Sequence, residues 1–235
     1  MAEYDVSADL YDLFYEWKDY AAEAATVHDI VAAHNPAART LLDVACGTGV
    51  HLAHLRAWYE VAGLDRSERM LDVARERLPD VELRAGDMVD FDLGRTFDVV
   101  TCLFSSIGYV RTVENLERAV ATMARHLAPG GVLIVEPWFA PADFDPHHLG
   151  RLIVVERPEM HAVRMNGSRT DGTLSTFDFH FMIGRPGAVE HRTEVHTLGL
   201  FERDAYRAAF ESAGLGVEYD EEGLMGRGLW IGRRV

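Results

Sequence analysis

A doubly wound α/β fold, carrying an inserted antiparallel β cap, follows from three observations on the sequence. Residues 40–49, Thr-Leu-Leu-Asp-Val-Ala-Cys-Gly-Thr-Gly, form an apolar strand pattern ending in a glycine turn, and Val50, Leu52 and Leu55 then follow at helical spacing. Strand and helix patterns alternate five times from there to residue 139, which implies right-handed crossovers and a parallel sheet. The alternation stops over residues 141–200, where period-2 patterns succeed one another with no helix between them. The 235 residues suit one α/β domain with an insertion better than two separate domains. The expected division is a core of residues 1–139 and 201–235 with residues 140–200 as the cap.

Composition narrows the function classes. A formal charge of −15 repels nucleic acid and anionic membrane, although arginines clustered locally could still hold an anionic small molecule. No apolar run approaches the ~18 residues of a membrane span, and the N-terminus lacks a basic-then-apolar leader pattern. A cytoplasmic, soluble protein is expected. Cys46 and Cys102 are the two cysteines and read as reduced core residues.

Taken in order, the chain opens with Tyr4, Tyr11 and Tyr15 among aliphatics. Asp19 then caps a helix with Tyr20, Ala24, Val27 and Val31 along one stripe, ending near His34-Asn35-Pro36. Such aromatics suit a core, or a flap that closes over a ligand through Tyr11 and Tyr20. The central strand and glycine turn follow. A second strand at 61–64 ends in Asp65, and Ser67 caps a helix whose inward residues are Met70, Leu71, Ala74 and Leu78. Asp65 stands where a carboxylate takes the two hydroxyls of an adenosine ribose. The third strand, 81–85, leads to Gly86-Asp87-Met88, where an acid and an apolar side chain could receive an adenine. The fourth, 97–103, ends in Phe104-Ser105-Ser106-Ile107-Gly108-Tyr109, a loop at the carboxyl edge where such sheets bind ligands. A helix at 113–127 stops at Pro129-Gly130-Gly131, and strand 132–135 runs into Glu136-Pro137-Trp138-Phe139.

In the insertion, residues 174–183 place Phe177, Phe179, Phe181 and Ile183 on one face and Thr176, Asp178, His180 and Met182 on the other. Residues 189–200 alternate similarly after the turn at Arg185-Pro186-Gly187, so about four antiparallel strands are expected. The segment carries His147, His148, His161, His180, His191 and His196, with Arg151, Arg157, Arg164, Arg169, Arg185 and Arg192. No pair has metal-ligand spacing, so no metal is expected. The core resumes with a helix at 204–213 and strands at 215–219 and 229–232. Between the strands, Arg227 lies in Gly226-Arg227-Gly228, where a guanidinium could meet an anion.

The glycine turn discriminates between ligands. A nicotinamide fingerprint requires a third glycine where Leu52 stands. S-adenosylmethionine (SAM) has no phosphate and carries an ammonium and a sulfonium, which suits the acidic Asp43. The stretch resembles the first motif of class I SAM-dependent methyltransferases, with Ala45 at its first glycine place. That departure is mild if φ stays negative at Ala45. Across the chain, further matches lie at Leu10-Tyr11-Asp12-Leu13, Lys18-Asp19-Tyr20-Ala21-Ala22-Glu23-Ala24, Gly86-Asp87-Met88, Phe104-Ser105-Ser106-Ile107-Gly108-Tyr109, Leu127-Ala128-Pro129-Gly130-Gly131, Glu136-Pro137-Trp138 and Gly226-Arg227-Gly228-Leu229. On these the chain resembles the bacterial dTDP-amino-sugar N,N-dimethyltransferases of the desosamine and mycaminose type. Tyr15-Glu16-Trp17 and residues 157–166 depart from that pattern, which bears on the sugar more than on the reaction.

The resemblance implies a seven-stranded Rossmann-like sheet, a homodimer, SAM as cofactor and two successive methyl transfers to the amine of a thymidine-diphosphate sugar. It implies cofactor contacts at Tyr11, Tyr20, Ala45, Asp65, Asp87, Met88 and Phe104; the loop and helix patterns add Asp43, Gly47, Gly49 and Met70. On the substrate side it implies Tyr109 and Arg227, to which Ser106, Trp138, Arg169 and His196 are added as candidates. Transfer from sulfonium to amine is an in-line displacement, so positioning residues are expected rather than an obligatory base. Tyr109 and Glu136 are the candidates beside the reacting nitrogen. Three rivals stand beside this reading: a small-molecule O-methyltransferase, a nucleic-acid amino-methyltransferase and a non-catalytic SAM-binding protein. The first would want a base and the second an Asn/Asp-Pro-Pro-Tyr-like motif after the fourth strand.

Overall fold

The computed structural model describes Tyr4, residues 7–147 and residues 150–234, so His148 of the insertion lies outside the described residues. A short 3-10 turn precedes α1 (Tyr11–Phe14) and α2 (Tyr20–His34). The core then runs β1 (Thr40–Val44), α3 (Val50–Leu55), β2 (Glu60–Asp65), α4 (Glu68–Arg77), β3 (Glu82–Ala85), β4 (Phe97–Cys102), α5 (Val113–Arg125) and β5 (Leu127–Val135). Four strands follow, the short β6 (Ile153–Arg157) and the long β7 (Met160–Asp171), β8 (Leu174–Arg185) and β9 (Ala188–Gly199), before α6 (Arg203–Ser212), β10 (Leu215–Asp220) and β11 (Leu229–Arg234).

Seven strands form one sheet in the order β10-β11-β5-β4-β1-β2-β3, and β6-β7-β8-β9 form a separate antiparallel sheet. Only β11 runs against its neighbours in the larger sheet, pairing antiparallel with both β10 and β5. The order reverses between β1 and β4, the switch point at which open α/β sheets leave a crevice. In β1, Leu41, Leu42, Asp43 and Val44 are all buried, as a strand covered by helices on both faces must be. The helix caps follow the sequence: Asp19 accepts from Ala22 N–H at 2.9 Å, and Ser67 from Met70 N–H at 3.3 Å.

Two expectations fail locally. The fifth helix ends at Arg125, and β5 begins at Leu127 rather than after the glycines. Leu127 pairs with Phe97 and Val132 with Val99, so Pro129-Gly130-Gly131 forms a bulge within the strand. Gly130, at φ +76, permits the detour. Ala45 does not keep a negative φ: it sits at +61, in the left-handed region where a Cβ costs about 1–2 kcal/mol.

Candidate active site

The carboxyl ends of β1, β2, β3 and β4 surround the glycine turn and leave a groove on either side of it. One part is lined by Tyr4, Tyr11, Ala45, Gly47, Asp65, Met70, Met88 and Phe104, and the other by Tyr20, Asp43, Thr48 and His51 together with Tyr11, Ala45, Gly47 and Phe104. Asp65 is fixed by accepting from Gly47 N–H and Ser67 N–H, each at 2.8 Å. Burial raises its pKa against the opposing pull of those backbone bonds. Its oxygens retain lone pairs for a diol. Asp43, 2 % exposed, accepts from Thr101 Oγ1 at 2.8 Å, and burial pushes its pKa up to about 6. Gly47 (φ +56) leaves room for Met70, whose Cε would lie 3.3 Å from a Cβ placed there. Two carboxylates flanking an apolar middle suit a ligand that is cationic at one end and nucleoside-like at the other.

The N-terminal segment roofs this groove. Asp12 takes the Thr48 hydroxyl at 2.6 Å and pairs with Arg77, which also donates to the Thr48 carbonyl. The chain's single lysine, Lys18, is buried in an ion pair with Glu23, and Glu23 also holds His51 at 2.9 Å. Burial opposes ionisation of Glu23, but the hydrogen bonds from His51 and Lys18 outweigh it and its pKa is lowered. Lys18 Nζ lies 4.6 Å from the centre of the Phe104 ring and 5.1 Å from that of Tyr20. Tyr20 Oη is buried without a well-aligned partner among the described residues, with the Tyr11 hydroxyl near it. Burial raises the pKa of Tyr4, Tyr11 and Tyr20, so all three remain hydroxyls at neutral pH.

Between the two sheets lies a cavity of about 500 Å³, reached past Phe104, Ser105 and Tyr109 and lined from the cap by Arg164, Asn166, Ser168, Phe177, Phe179, His196 and Leu198. Phe104 and Ser105 both have positive φ, at +52 and +59. Two consecutive non-glycine residues in that region are strained, and such strain concentrates at functional sites. Glu136, fully buried, holds the loop by accepting from Phe104 N–H at 2.6 Å. Its other oxygen lies 3.5 Å from Arg227 Nη2. The Arg227 guanidinium stands over the rings of Trp138 and Phe139 at 5.3 and 5.6 Å, and its buried Nε has no hydrogen-bond partner among the described residues. Trp138 is anchored by Nε1 donating to Ser175 Oγ at 3.0 Å.

Tyr109 lines both groove and cavity. Its hydroxyl lies 2.9 Å from Tyr4 Oη and 2.7 Å from His196 Nδ1, and His196 Nε2 lies 3.4 Å from Glu194 Oε2. Glu194 in turn accepts from the Ser7 hydroxyl at 2.7 Å and from Ser7 N–H at 3.0 Å.

Of the candidates from sequence, Tyr11, Ala45, Gly47, Asp65, Met70, Met88 and Phe104 line the first part of the groove, with Tyr20 and Asp43 in the second. Ser106 lines the groove rather than the cavity, whereas Tyr109, Trp138, His196 and Arg227 line the cavity. Four are placed elsewhere. Gly49 is the left-handed N-cap of α3 and packs on α4, where a Cβ would meet Leu78 at 3.0 Å. Asp87 is exposed and accepts from Val89 N–H. Glu136 is committed to Phe104 and Arg227, an arrangement for holding a loop rather than taking a proton. Arg169 pairs with Asp178 on the exposed side of the cap, an odd number of residues from the inward-facing Arg164. Side chains alternate along a strand, so parity with the buried Ala162 would have selected Arg164. The Tyr4 and Glu194 contacts join distant segments and left no local pattern to read.

Comparison with known proteins places these features in a family. A profile described as "Methyltransferase domain" matches residues 41–131, from the central strand to the end of the glycine bulge. The dTDP-3-amino-3,4,6-trideoxy-alpha-D-glucopyranose N,N-dimethyltransferase of Streptomyces venezuelae is 48% identical over 96% of this chain and 96% of its own. The dTDP-4-amino-2,3,4,6-tetradeoxy-D-glucose N,N-dimethyltransferase of Saccharopolyspora spinosa is 43% identical over 97% and 92%. A SAM-bound amino pentose methyltransferase of Micromonospora echinaspora, involved in calicheamicin biosynthesis, superposes with a TM-score of 0.87 at 39% identity, covering 100% of this chain and 99% of that one.

Proposed function

We propose, from the premise that this chain belongs to the SAM-dependent amino-sugar N,N-dimethyltransferases, that it transfers two methyl groups in succession from SAM to the amino nitrogen of a dTDP-linked deoxyamino sugar. The observation that carries the reading is the junction of two spaces at Tyr109: an acid-flanked groove over the glycine turn opens onto an arginine-bearing cavity under the cap. In this reading Asp65 takes the ribose hydroxyls, Met70 and Met88 flank the adenine, and Tyr11, Tyr20 and Asp43 attend the aminoacyl end. The sulfonium methyl then points past Phe104 into the cavity. Residues 140–200 act as the substrate cap.

The reaction is an in-line displacement. The amine lone pair forms the new N–C bond as the C–S bond breaks, and the electron pair stays on sulfur in S-adenosylhomocysteine. Holding nitrogen and methyl ~3–3.5 Å apart and aligned supplies about 7–11 kcal/mol of the barrier. No charge develops that needs an oxyanion hole, and the aromatic walls tolerate the cation as it moves from sulfur to nitrogen.

Of the cavity's three guanidinium groups, Arg151, Arg164 and Arg227, the last two are assigned to the diphosphate, in a chain whose overall charge is negative. Arg227→Ala should raise KM for the nucleotide sugar at least tenfold, the loss of roughly 1.5–3 kcal/mol for a hydrogen bond to a charged group, with KM for SAM changed little. Equal kinetics in the two proteins would exclude the anion-binding role. A homodimer is also inferred from the family. The face of the cap turned away from the cavity exposes Val154, Met165, Met182 and Val195, an apolar surface suited to a second copy. A single-chain mass in sedimentation at micromolar concentration would contradict it.

A further inference from the structure

Amines of this kind enter as ammonium ions, and the first methyl transfer makes another ammonium ion. Each transfer therefore requires that a proton first leave the nitrogen. Glu136 is tied to Phe104 and Arg227, and the two carboxylates that line the cavity, Asp143 and Asp145, are exposed. The acceptor chain that reaches the cavity runs the other way, into the cap. Tyr109 Oη lies 2.7 Å from His196 Nδ1, and His196 Nε2 faces Glu194, with both residues buried at 2 % and 8 % exposure.

We propose that Tyr109, His196 and Glu194 form a proton path that empties the substrate nitrogen before each methyl transfer, an inference that rests on the N-methylation reading above. The ammonium gives its proton to Tyr109 Oη while the Tyr109 hydroxyl proton passes to His196 Nδ1. The resulting imidazolium keeps its Nε2–H toward the Glu194 carboxylate, which stabilises the added charge. The nitrogen lone pair is then free to take the methyl as the C–S bond breaks. His196 returns its proton to water when product leaves and the roof opens. His196 acts through Tyr109 and positions it, and Glu194 fixes the imidazole tautomer, the division of labour of a hydroxyl–imidazole–carboxylate array.

The groups facing His196 fit this assignment. Tyr4 packs edge-on to its ring with centroids 4.5 Å apart, and it accepts from the Tyr109 hydroxyl at 2.9 Å while burial keeps Tyr4 itself a hydroxyl. Arg164 shares a small pocket with His196 and Glu194, as do Tyr11 and Tyr15. Ser7 holds Glu194 through backbone and side chain.

The test is single-turnover methylation of the monomethylated sugar between about pH 6 and about pH 10, for the wild type, His196→Asn and Glu194→Gln. Asparagine can keep the hydrogen bond to Tyr109 but cannot take a proton. The path predicts a rate for His196→Asn about a hundredfold lower near neutral pH, returning to within a few-fold of wild type at the alkaline end. SAM affinity by calorimetry should be unchanged, and under multiple turnover from the unmethylated amino sugar the monomethyl product should accumulate near neutrality. Glu194→Gln should show the same alkaline recovery with a smaller deficit. An unaltered profile in His196→Asn overturns the path, and so does a loss of equal size at every pH, which is what a purely structural cluster would give. If His196→Asn does not fold, Glu194→Gln decides by the same two outcomes. A wild type that methylates no amino sugar at any pH fails the underlying reading instead, and is distinguishable because no profile exists to compare.

Discussion

At the residue scale, Asp43 shows how burial and ligand charge are coupled. Its carboxyl is raised from 3.8 to about 6 chiefly by desolvation, with the neighbouring Asp65 adding to it and His51 and Thr101 opposing. Folding therefore raises this pKa. Between about pH 4 and pH 6 the native chain holds a proton that the unfolded chain has lost, so stability falls as pH rises through that window. The cost, on the order of 3 kcal/mol, is complete above it. A cationic ligand reverses the balance by favouring the carboxylate. SAM should accordingly bind about tenfold more weakly at pH 5 than at pH 8, and Asp43→Asn should flatten most of that slope, leaving what Asp65 contributes. Calorimetric affinities for wild type that do not vary over this range would refute the coupling. Asp43 and Asp65 were legible because each ends or sits in a strand beside the glycine turn. The φ of Ala45 was not, since an alanine at a glycine place looks harmless until the left-handed backbone is seen.

The elements were mostly readable from their own chemistry. Ser67 and Asp19 cap the helices they precede, and period-2 patterns become β8 and β9 with the apolar face inward. The error at α5 and β5 has a local cause. Pro-Gly-Gly ordinarily ends a helix, but here His126 ends it, and the proline and glycines carry a bulge that restores pairing with β4. What no local pattern carries is the docking of α1 and α2. For α1 that rests on Asp12 meeting Thr48 and Arg77, and for α2 on Glu23 joining the nearby Lys18 to His51 on α3, three buried groups. Removing one member leaves a buried charge unpaired, so Glu23→Ala should cost about 3–5 kcal/mol, a fall in melting temperature of about 10 °C. It should also weaken SAM binding, because the roof over the groove loses its anchor. A melting point within about 2 °C of wild type, which corresponds to less than roughly 1 kcal/mol, would show that the roof is held by its aromatic contacts alone.

For the whole molecule, the division of labour lies between two sheets. The seven-stranded sheet presents strand ends and a glycine turn to one ligand, while the four-stranded sheet stands over them and adds Arg164, aromatics and His196. Among the described residues no helix is long and apolar enough to cross a membrane. The net charge of −15 describes the outer surface poorly as a guide to the cavity, where Arg151, Arg164 and Arg227 gather. Sequence pattern reached the architecture and the groove because both are local to strand–turn–helix units. It reached the cavity incompletely because the inward face of the cap depends on register, which parity alone would have supplied for Arg164. The most direct measurement is mass spectrometry, with fragmentation, of the products formed from SAM and a dTDP-linked deoxyamino sugar bearing a free amine. The nucleotide sugar should gain first one and then two methyl groups, both on nitrogen, with one S-adenosylhomocysteine released for each. Methyl on a sugar oxygen, or SAM bound with no methyl passed to any amine of this class, would contradict it.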